Sequence, residues 1–110
     1  MTAHAKERVT FGEPLANRQA IQWMLADTAV DIATARSLAY ETLRQIEAGR
    51  EVSSAPSMCK LYCSEMVGRV TDRAIQVFGG QGLIRGFPIE RFYRDVRHYR
   101  IGEGTSEVHR

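Results

Sequence analysis

Residues 75–82 decide how this chain is built, and they read Ile75-Gln76-Val77-Phe78-Gly79-Gly80-Gln81-Gly82. An apolar run with helical spacing ends here in a group of glycines. Glycines stop a helix readily because they have no side chain and adopt positive φ at little cost. The stretch therefore predicts the end of a long helix, followed by a bend where the backbone is open to close approach by a ligand.

Two long helices are predicted on the N-terminal side of this bend. Apolar residues recur every three or four positions over residues 15–48, and no glycine or proline interrupts them before Gly49. A second helix is expected from an N-cap at Ser54, with Pro56 in its first turn, to Phe78. Helices of this kind are not stable alone, so the two are expected to pack against each other.

Shorter elements are expected on both sides of this pair. Residues 1–9 resemble the last turns of a helix, which Gly12 and Pro14 break. No strand is expected, because apolar and polar residues do not alternate. Pro88 is expected to begin a short helix that ends near His98.

Thr105 or Ser106 is expected to cap one more helix, which is cut off at Arg110. The fold class predicted from these elements is all-α, an antiparallel helical bundle of the four-helix up-and-down type with long second and third helices.

Length and composition restrict the classes of function. The 110 residues suffice for one domain, and 44% hydrophobic with 25% charged residues are ordinary globular values. A net charge of +2 is too small to indicate a polyanionic partner. No apolar run approaches the roughly 18 residues of a membrane span, and the first residues lack the apolar core of a secretion signal. We therefore expect a cytoplasmic protein that binds neither nucleic acid nor membranes.

Two clusters of chemically active residues receive a structural interpretation. Cys59 and Cys63 are four positions apart, which in a helix separates their Cβ atoms by roughly 5–6 Å, beyond disulfide range. Two half-buried thiols are expected, and no further ligand is spaced for a metal site. A charged stripe favours structural ion pairs over a nucleic-acid surface, because acidic residues interrupt it. Its members are Glu90, Arg91, Arg94, Asp95, Arg97 and Arg100.

A second glycine-rich segment places one carboxylate between two glycines. It reads Ile101-Gly102-Glu103-Gly104-Thr105-Ser106-Glu107. A glutamate that is fixed in a loop, with no bulky neighbours to exclude a substrate, is a candidate proton acceptor. From the local residues alone, a solvated loop carboxylate is the competing interpretation.

Six short pieces of this sequence occur together in the order and spacing of one enzyme family. They are Glu7-Arg8-Val9-Thr10-Phe11-Gly12, Gln19-Ala20-Ile21-Gln22, Ser57-Met58-Cys59-Lys60, residues 76–82, Pro88-Ile89-Glu90-Arg91 with Arg94-Asp95, and residues 103–107. Over essentially its whole length the chain resembles the C-terminal helical domain of the acyl-CoA dehydrogenases. The resemblance implies that residues 1–110 are this one domain, truncated at both ends, of a larger enzyme.

The resemblance also implies a reaction and a catalytic residue. Family enzymes oxidise the α–β bond of an acyl-CoA thioester, with FAD as the hydride acceptor. Glu103 occupies the position of the base that removes the α-proton, and Gly102 and Gly104 lie in the substrate-binding segment. Many members carry tyrosine where this chain has Gly102. Glycine is therefore expected to leave room for a bulkier or branched acyl group.

Cofactor and partners follow from the same resemblance. FAD is the implied cofactor, in part bound by a neighbouring subunit, and its implied contacts are Arg8, Phe11, Gln76, Gly79, Gly80, Thr105 and Glu107. The implied partners are the acyl-CoA substrate, subunits of the same kind in a homotetramer or homodimer, and an electron-transfer flavoprotein. We expect the isolated chain neither to retain FAD nor to turn over. The alternative is a non-catalytic helical module for self-association or for binding another chain.

Overall fold

The structure, a computed structural model, describes residues 1–110 and is almost entirely helical. Its α-helices are α1 (Thr2–Glu7), α2 (Gln19–Glu47), α3 (Ala55–Phe78) and α4 (Pro88–Arg97). Short 3₁₀ segments lie at Leu15–Asn17, Gly79–Leu83 and His98–Arg100, and two short strands are β1 (Val9–Thr10) and β2 (Glu13–Pro14). The all-α class is confirmed, and α2 and α3 are the long second and third helices that the apolar spacing predicts, except that α2 begins at Gln19 and not at Leu15, because Leu15–Asn17 form a separate 3₁₀ turn.

The antiparallel pair of α2 and α3 forms the body of the molecule. Helix α2 has 29 residues, which gives it a length of about 44 Å, and the whole chain measures 56 × 25 × 20 Å. The carboxylate of Asp31 on α2 joins the pair by accepting hydrogen bonds from Arg73 at 2.6 Å and Arg69 at 3.0 Å. Both arginines belong to α3, so this contact fixes the register of the two helices.

Small side chains form the buried core, which lets the helices approach closely. The buried hydrophobic residues are Ala5, Ala35, Ala55, Ala74, Val77 and Val96. Buried threonines also contribute, and each donates its hydroxyl to the carbonyl oxygen four residues earlier, which satisfies the polar group. These bonds are Thr28 to Met24 at 2.7 Å, Thr42 to Leu38 at 2.9 Å and Thr71 to Val67 at 2.8 Å.

Larger apolar side chains remain on the surface of α2. More than half of each of Trp23, Val30, Tyr40 and Leu43 is exposed. Helix α2 packs mainly against α3, so its apolar residues on other faces have no cover within this chain. None of the helices combines the length and the apolarity that crossing a bilayer requires.

The predicted boundaries of α3 and α4 are correct, but one predicted cap is not formed. Gly79 ends α3 with a φ of 59°, and Pro88 begins α4. Ser54 occupies the N-cap position of α3, yet its hydroxyl caps no backbone amide. Its ψ of −26° is helical rather than extended, and an extended N-cap residue is what normally directs the hydroxyl to the first turn.

The expectation of no strand is wrong at one place. Strands β1 and β2 pair antiparallel, with Val9 opposite Pro14 and Thr10 opposite Glu13. Phe11 and Gly12 form the turn, with φ of 52° and 84°. Two successive positive φ values are typical of the two-residue turn that matches the twist of a hairpin. This turn, and not an alternating pattern, creates the strands.

The last predicted helix is reduced to a turn. The hydroxyl oxygen of Thr105 does accept a hydrogen bond from the Val108 amide at 3.4 Å. Its carbonyl oxygen accepts a second one from the His109 amide at 3.2 Å. Only four residues follow Ser106 in the sequence. One turn gains too few hydrogen bonds to offset the cost of helix nucleation.

The charged stripe forms ion pairs for part of its length. Arg94 pairs with Glu90 at 2.5 Å on α4, and Arg100 reaches Glu65 on α3 at 3.5 Å. Arg91 and Arg97 have no carboxylate within 4.0 Å, so the predicted ion pairing is confirmed for two of the four arginines of the stripe. Cys59 and Cys63 are half-buried free thiols with their Sγ atoms 4.0 Å apart, as expected.

Candidate functional site

The loop that carries Glu103 has an unusual backbone. Glu103 has a φ of 57°, and the next residue, Gly104, has a φ of 98°. A non-glycine residue in the left-handed region costs of order 1–3 kcal/mol, so surrounding contacts must hold it there. Such strain at a candidate catalytic residue indicates that the loop is built to present that residue in one conformation.

Three contacts hold this loop. The ammonium of Lys60 on α3 donates a hydrogen bond to the carbonyl oxygen of Gly104. The hydroxyl of Ser106, which is only 2% exposed, donates to Glu65 Oε1 at 2.7 Å. The imidazole Nε2 of His109 lies 3.0 Å from the carbonyl oxygen of Glu103 and must donate to it, since a carbonyl only accepts. The loop is therefore held at Glu103 itself and at the residues that follow it.

The loop closes one side of a cavity of about 450 Å³ against α3. Cys63, Met66 and Val67 of α3 give the cavity an apolar wall, and Glu103 is the only carboxylate among its lining residues. The burial of Cys63, followed by the proximity of Cys59, raises the pKa of the Cys63 thiol to about 11. Cys63 is therefore a neutral group at this wall near pH 7.

Glu103 itself is exposed in this chain. The carboxylate lines the cavity but is not enclosed by it. The burial that the resemblance implies for a catalytic base is therefore not provided by residues 1–110. It would have to come from a bound substrate or cofactor, or from protein outside this chain.

His98 occupies the space next to Gly102 in the direction of a Cβ atom. A Cβ at Gly102 would lie 2.5 Å from Nε2 of the His98 imidazole, well inside van der Waals contact. His98 is four positions earlier and lines the same cavity. Glycine at position 102 therefore accommodates the His98 ring in the Cβ direction, and because Gly102 also lines the open cavity, room for a branched acyl group stays a prediction.

Of the predicted flavin contacts, Arg8 directly precedes β1 and Phe11 lies in the turn of the β1–β2 hairpin. Phe11 is 97% exposed at the tip of the hairpin. Arg18 supports this tip by pairing with Glu13 at 2.8 Å and by donating to the carbonyl of Thr10 at 3.0 Å. Its guanidinium also lies 5.9 Å from the centre of the Phe11 ring. The ring is thus presented to solvent by a supported turn.

The predicted contacts Gln76, Gly79 and Gly80 lie at the exposed C-terminal end of α3. Nothing is within 4 Å of the positions that a Cβ would take at Gly79 and Gly80, so the backbone of this bend is open. The imidazole of His4 stacks on Phe78 with ring centres 4.2 Å apart. This stack joins α1, and with it the hairpin, to the bend.

Within one chain, the predicted site residues form two separate groups. The Glu103 loop is anchored at Lys60 and Glu65, whereas Gly79 and Gly80 lie at the far end of α3. Glu65 and Gly79 are 14 positions apart, which is about 20 Å along the helix axis. The structure therefore does not bring Glu103 to the double-glycine bend of its own chain. Thr105 and Glu107 lie with Glu103 in the first group.

Sequence reasoning missed the residues that support both groups. It assigned no role to Lys60, Glu65, Arg18 or the contact of His98 with Gly102. One local signal existed on α3, because Lys60, Ser64 and Gly68 follow one another at intervals of four on a helix with apolar neighbours. The partner of Lys60 is 44 positions away, so no local pattern identifies it.

Comparison with known proteins agrees with the fold and the order of these elements. The family model described as acyl-CoA dehydrogenase, C-terminal domain, matches residues 1–110. The acryloyl-CoA reductase (NADH) of Anaerotignum propionicum is 43% identical over 97% of this chain and 27% of that protein. The cyclohexane-1-carbonyl-CoA dehydrogenase of Geobacter metallireducens is 40% identical over 100% of this chain and 29% of that protein.

A solved structure shows the same arrangement of helices. The butyryl-CoA dehydrogenase from Megasphaera elsdenii superposes with a TM-score of 0.94 at 36% identity, over 98% of this chain and 28% of that one. The chain thus spans between a quarter and a third of the length of these relatives. With a family model that matches every residue and a shared fold, this chain belongs to the acyl-CoA dehydrogenase family, of which it represents the C-terminal domain.

Proposed function

We propose that this chain supplies the catalytic base of a flavin-dependent acyl-CoA dehydrogenase, with Glu103 as that base. One observation carries the proposal. Glu103 is the only carboxylate that lines the mainly apolar cavity beside α3, and a strained, anchored loop presents it there. Because the chain spans less than a third of its relatives, the whole enzyme and its substrates are part of the proposal.

The chemistry requires a base and a polar contact to the thioester. Removal of the α-proton of a thioester moves negative charge onto the carbonyl oxygen, so a hydrogen-bond donor near that oxygen stabilises the transition state. The backbone N–H of Glu103 donates to no other backbone group in the structure. Glu103 would then take the α-proton with its carboxylate and contact the thioester oxygen with its amide, in the arrangement that the family resemblance implies.

The residues present fit FAD as the cofactor. Arg8 is exposed and makes no ion pair, so its guanidinium is free for a phosphate. The open backbone at Gly79 and Gly80 and the exposed ring of Phe11 suit a long, flat dinucleotide. When bound, FAD would accept the hydride from the β-carbon. Gln76 would donate its side-chain amide to the same ligand.

The second group, at the Glu103 loop, offers different polar atoms. Thr105 accepts a hydrogen bond from the Val108 amide at 3.4 Å on its hydroxyl oxygen, and its own hydroxyl proton is directed to the Glu107 carboxylate. The pKa of Glu107 is lowered, first by a hydrogen bond from its own backbone amide and then by one from Thr105. Glu107 is therefore ionised at neutral pH and can only accept, for example from a ribose hydroxyl.

The separation of the two groups supports a homo-oligomer. The two groups are about 20 Å apart along α3, so no change of the fold is needed if one group completes the flavin site of another subunit. That group consists of Arg8, Phe11, Gln76, Gly79 and Gly80. A homotetramer or homodimer of the full-length enzyme meets this requirement. An electron-transfer flavoprotein is the partner that we propose for reoxidation.

The direction of the reaction is not fixed by the base. The two relatives described above are named as a reductase and a dehydrogenase. The same carboxyl group that takes the α-proton in oxidation would return it in reduction, by microscopic reversibility. Both directions therefore belong in the test of function.

A non-catalytic association module is the second candidate. The exposed apolar residues of α2, Trp23 and Val30 among them, favour it for the isolated chain. Sedimentation of the 110-residue chain tests it directly. A monomer at all concentrations would argue against this candidate.

The experiment for the first candidate uses the full-length enzyme. We expect the purified protein to carry a flavin spectrum, and anaerobic addition of a suitable acyl-CoA to bleach it. An acyl-CoA without an α-hydrogen should bind without bleaching. A colourless protein that cannot be reconstituted with FAD, or bleaching that does not require an α-hydrogen, would refute the proposal.

A further inference from the structure

We propose that Lys60 and Glu65 of α3 are positioning residues for Glu103. They hold the two flanks of its loop, so that the carboxylate stays at the cavity in one orientation. This inference rests on the catalytic role of Glu103 proposed above, and the experiment below separates the two.

Lys60 acts on the segment immediately after the glutamate. Its ammonium donates to the carbonyl oxygen of Gly104 and has no carboxylate within 4.0 Å, so this carbonyl is its strongest protein partner. A charged donor forms a stronger hydrogen bond than a neutral one. The bond fixes the peptide group that links Gly104 to Thr105, directly after the two residues with positive φ.

Glu65 acts on both sides of the glutamate. Its Oε1 accepts from the buried hydroxyl of Ser106 at 2.7 Å, and its Oε2 lies 3.5 Å from Arg100 Nη1. The backbone closes the same segment, because the Ser106 amide donates to the carbonyl of Arg100 at 3.2 Å. The guanidinium of Arg100 is in turn packed 3.2 Å from the Cβ position of Gly68 on α3. Glu65 thus ties residues before and after Glu103 to one helix.

The contacts of Lys60 and Glu65 with the loop offset the unfavourable backbone conformation of Glu103. Glu103 adopts a positive φ that a free loop would leave for more populated regions, whereas Gly104 adopts its positive φ at little cost. Lys60 and Glu65 are five residues apart, about 7.5 Å along a rigid helix, so they hold the flanks at a fixed spacing. A displacement of about 1 Å in a catalytic group can cost on the order of 100-fold in rate.

The test uses flavin-loaded full-length enzyme with substitutions at both anchors. Lys60→Met and Glu65→Ala remove the contacts, whereas Lys60→Arg keeps a charged donor and Glu65→Gln keeps an acceptor for Ser106. Lys6→Met is the matched control, because Lys6 is the only other lysine, is exposed and makes no ion pair. Glu51→Ala is the control for Glu65, since Glu51 is exposed and unpaired.

Two measurements are made on each variant. The first is the rate constant of flavin reduction in a single turnover with an acyl-CoA, and with the same acyl-CoA deuterated at the α-carbon. The second is hydrogen exchange of the amides of residues 103–106 without substrate, which does not depend on turnover. Because the rate constant is measured per bound flavin, incomplete folding lowers the amplitude and leaves the rate constant unchanged.

We expect both contact-removing variants to reduce the rate constant by about 10–100-fold, while the acyl-CoA concentration that gives half the maximal rate constant changes by less than about threefold. The α-deuterium effect should increase, and exchange in the loop should accelerate while α2 and α3 keep their protection. Lys60→Arg and Glu65→Gln should recover most of the rate. Both control variants should behave as wild type.

Three results would overturn the inference. The first is a rate constant within twofold of wild type for both Lys60→Met and Glu65→Ala. The second is faster exchange spread over α2 and α3, which would indicate a general structural role. The third is loss of flavin from both variants. If only one variant loses flavin, the rate constant of the other variant is compared with wild type by the first criterion. Glu103→Gln separates the proposals: wild-type rates in that variant refute the proposed function, whereas its inactivity beside normal anchor variants refutes only this inference.

Discussion

Asp31 on α2 and Arg73 on α3 form a hydrogen-bonded ion pair with a separation of 2.6 Å across 42 positions of sequence. Only 14% of the Asp31 side chain is exposed, and its second oxygen accepts from Arg69 at 3.0 Å. Hydrogen bonds from Arg73 and then Arg69 hold the pKa of Asp31 below its ordinary value of 3.8. This pair makes the packing of the two long helices sensitive to acid.

The sign of the pH dependence follows from the lowered pKa. Because the folded protein binds the Asp31 proton less readily than the unfolded chain, the stabilisation is fully present above the unfolded pKa of about 4. It decreases as the pH falls and is lost below the lowered folded value. We expect Asp31→Asn to reduce the unfolding free energy at pH 7 by about 1–3 kcal/mol.

Thermal unfolding of wild type and Asp31→Asn between pH 7 and pH 2 measures this effect. The difference in melting temperature should shrink as the pH falls below about 4. Asp27→Asn, an exposed and unpaired position on the same helix, should show no such difference. A constant gap between wild type and Asp31→Asn at all pH values would contradict the ionic origin of the stabilisation.

Gly102 and His98 should be coupled energetically. A methyl group at position 102 would overlap the exposed His98 imidazole and force its ring to move, so Gly102→Ala alone is expected to destabilise the protein by about 1 kcal/mol, the cost of a displaced rotamer. With His98→Ala in the same protein, the cost should fall below about 0.5 kcal/mol. A double-mutant cycle of thermal unfolding checks this, and additive effects would show that the two side chains do not compete for space.

Arg18 should contribute to cofactor binding without contacting the cofactor. It holds the hairpin that presents Arg8 and Phe11, through Glu13 and the carbonyl of Thr10. We expect Arg18→Ala to weaken FAD binding to the full-length enzyme by about tenfold, the equivalent of one charge-assisted hydrogen bond. Equilibrium dialysis against FAD measures this. Arg36→Ala, at an exposed and unpaired position on α2, is the matched control and should bind as wild type.

Cys63 should react slowly with alkylating agents at neutral pH. Its pKa of about 11 leaves roughly one thiolate in ten thousand at pH 7, against a few per cent for an ordinary thiol. We expect alkylation of Cys63 by iodoacetamide, followed by mass spectrometry, to accelerate with pH up to about 11. The protein unfolded in guanidinium provides the reference rate. Rapid modification of folded Cys63 at pH 7 would show that the thiol is not shielded.

The helices were predictable because their signals are local. Apolar residues at intervals of three and four define α2 and α3, and Gly79 and Pro88 mark where one helix stops and the next begins. The hairpin was not predictable from alternation, because it depends on two positive φ values at Phe11 and Gly12. Nor does any local pattern reveal the contact of Lys60 with Gly104, which joins distant parts of the chain.

For the candidate base Glu103 as well, the local features were predictable from the sequence and the long-range contacts were not. Glycines on both sides of Glu103 are visible in the sequence and indicate an accessible carboxylate. The positive φ of Glu103, the anchors that hold it and the occupation of the space beside Gly102 by His98 required the three-dimensional structure. The separation of the loop from Gly79 and Gly80 likewise follows from the length of α3.

The rate constant of flavin reduction in Glu103→Gln tests the central claim most directly. Glutamine keeps the size of the side chain and the backbone amide but cannot accept the α-proton at neutral pH. With saturating acyl-CoA in the flavin-loaded full-length enzyme, we expect a reduction of at least about 100-fold, within the range of general-base catalysis. Acyl-CoA binding and flavin content should remain close to wild type. Flavin reduction at the wild-type rate would show that Glu103 is not the base.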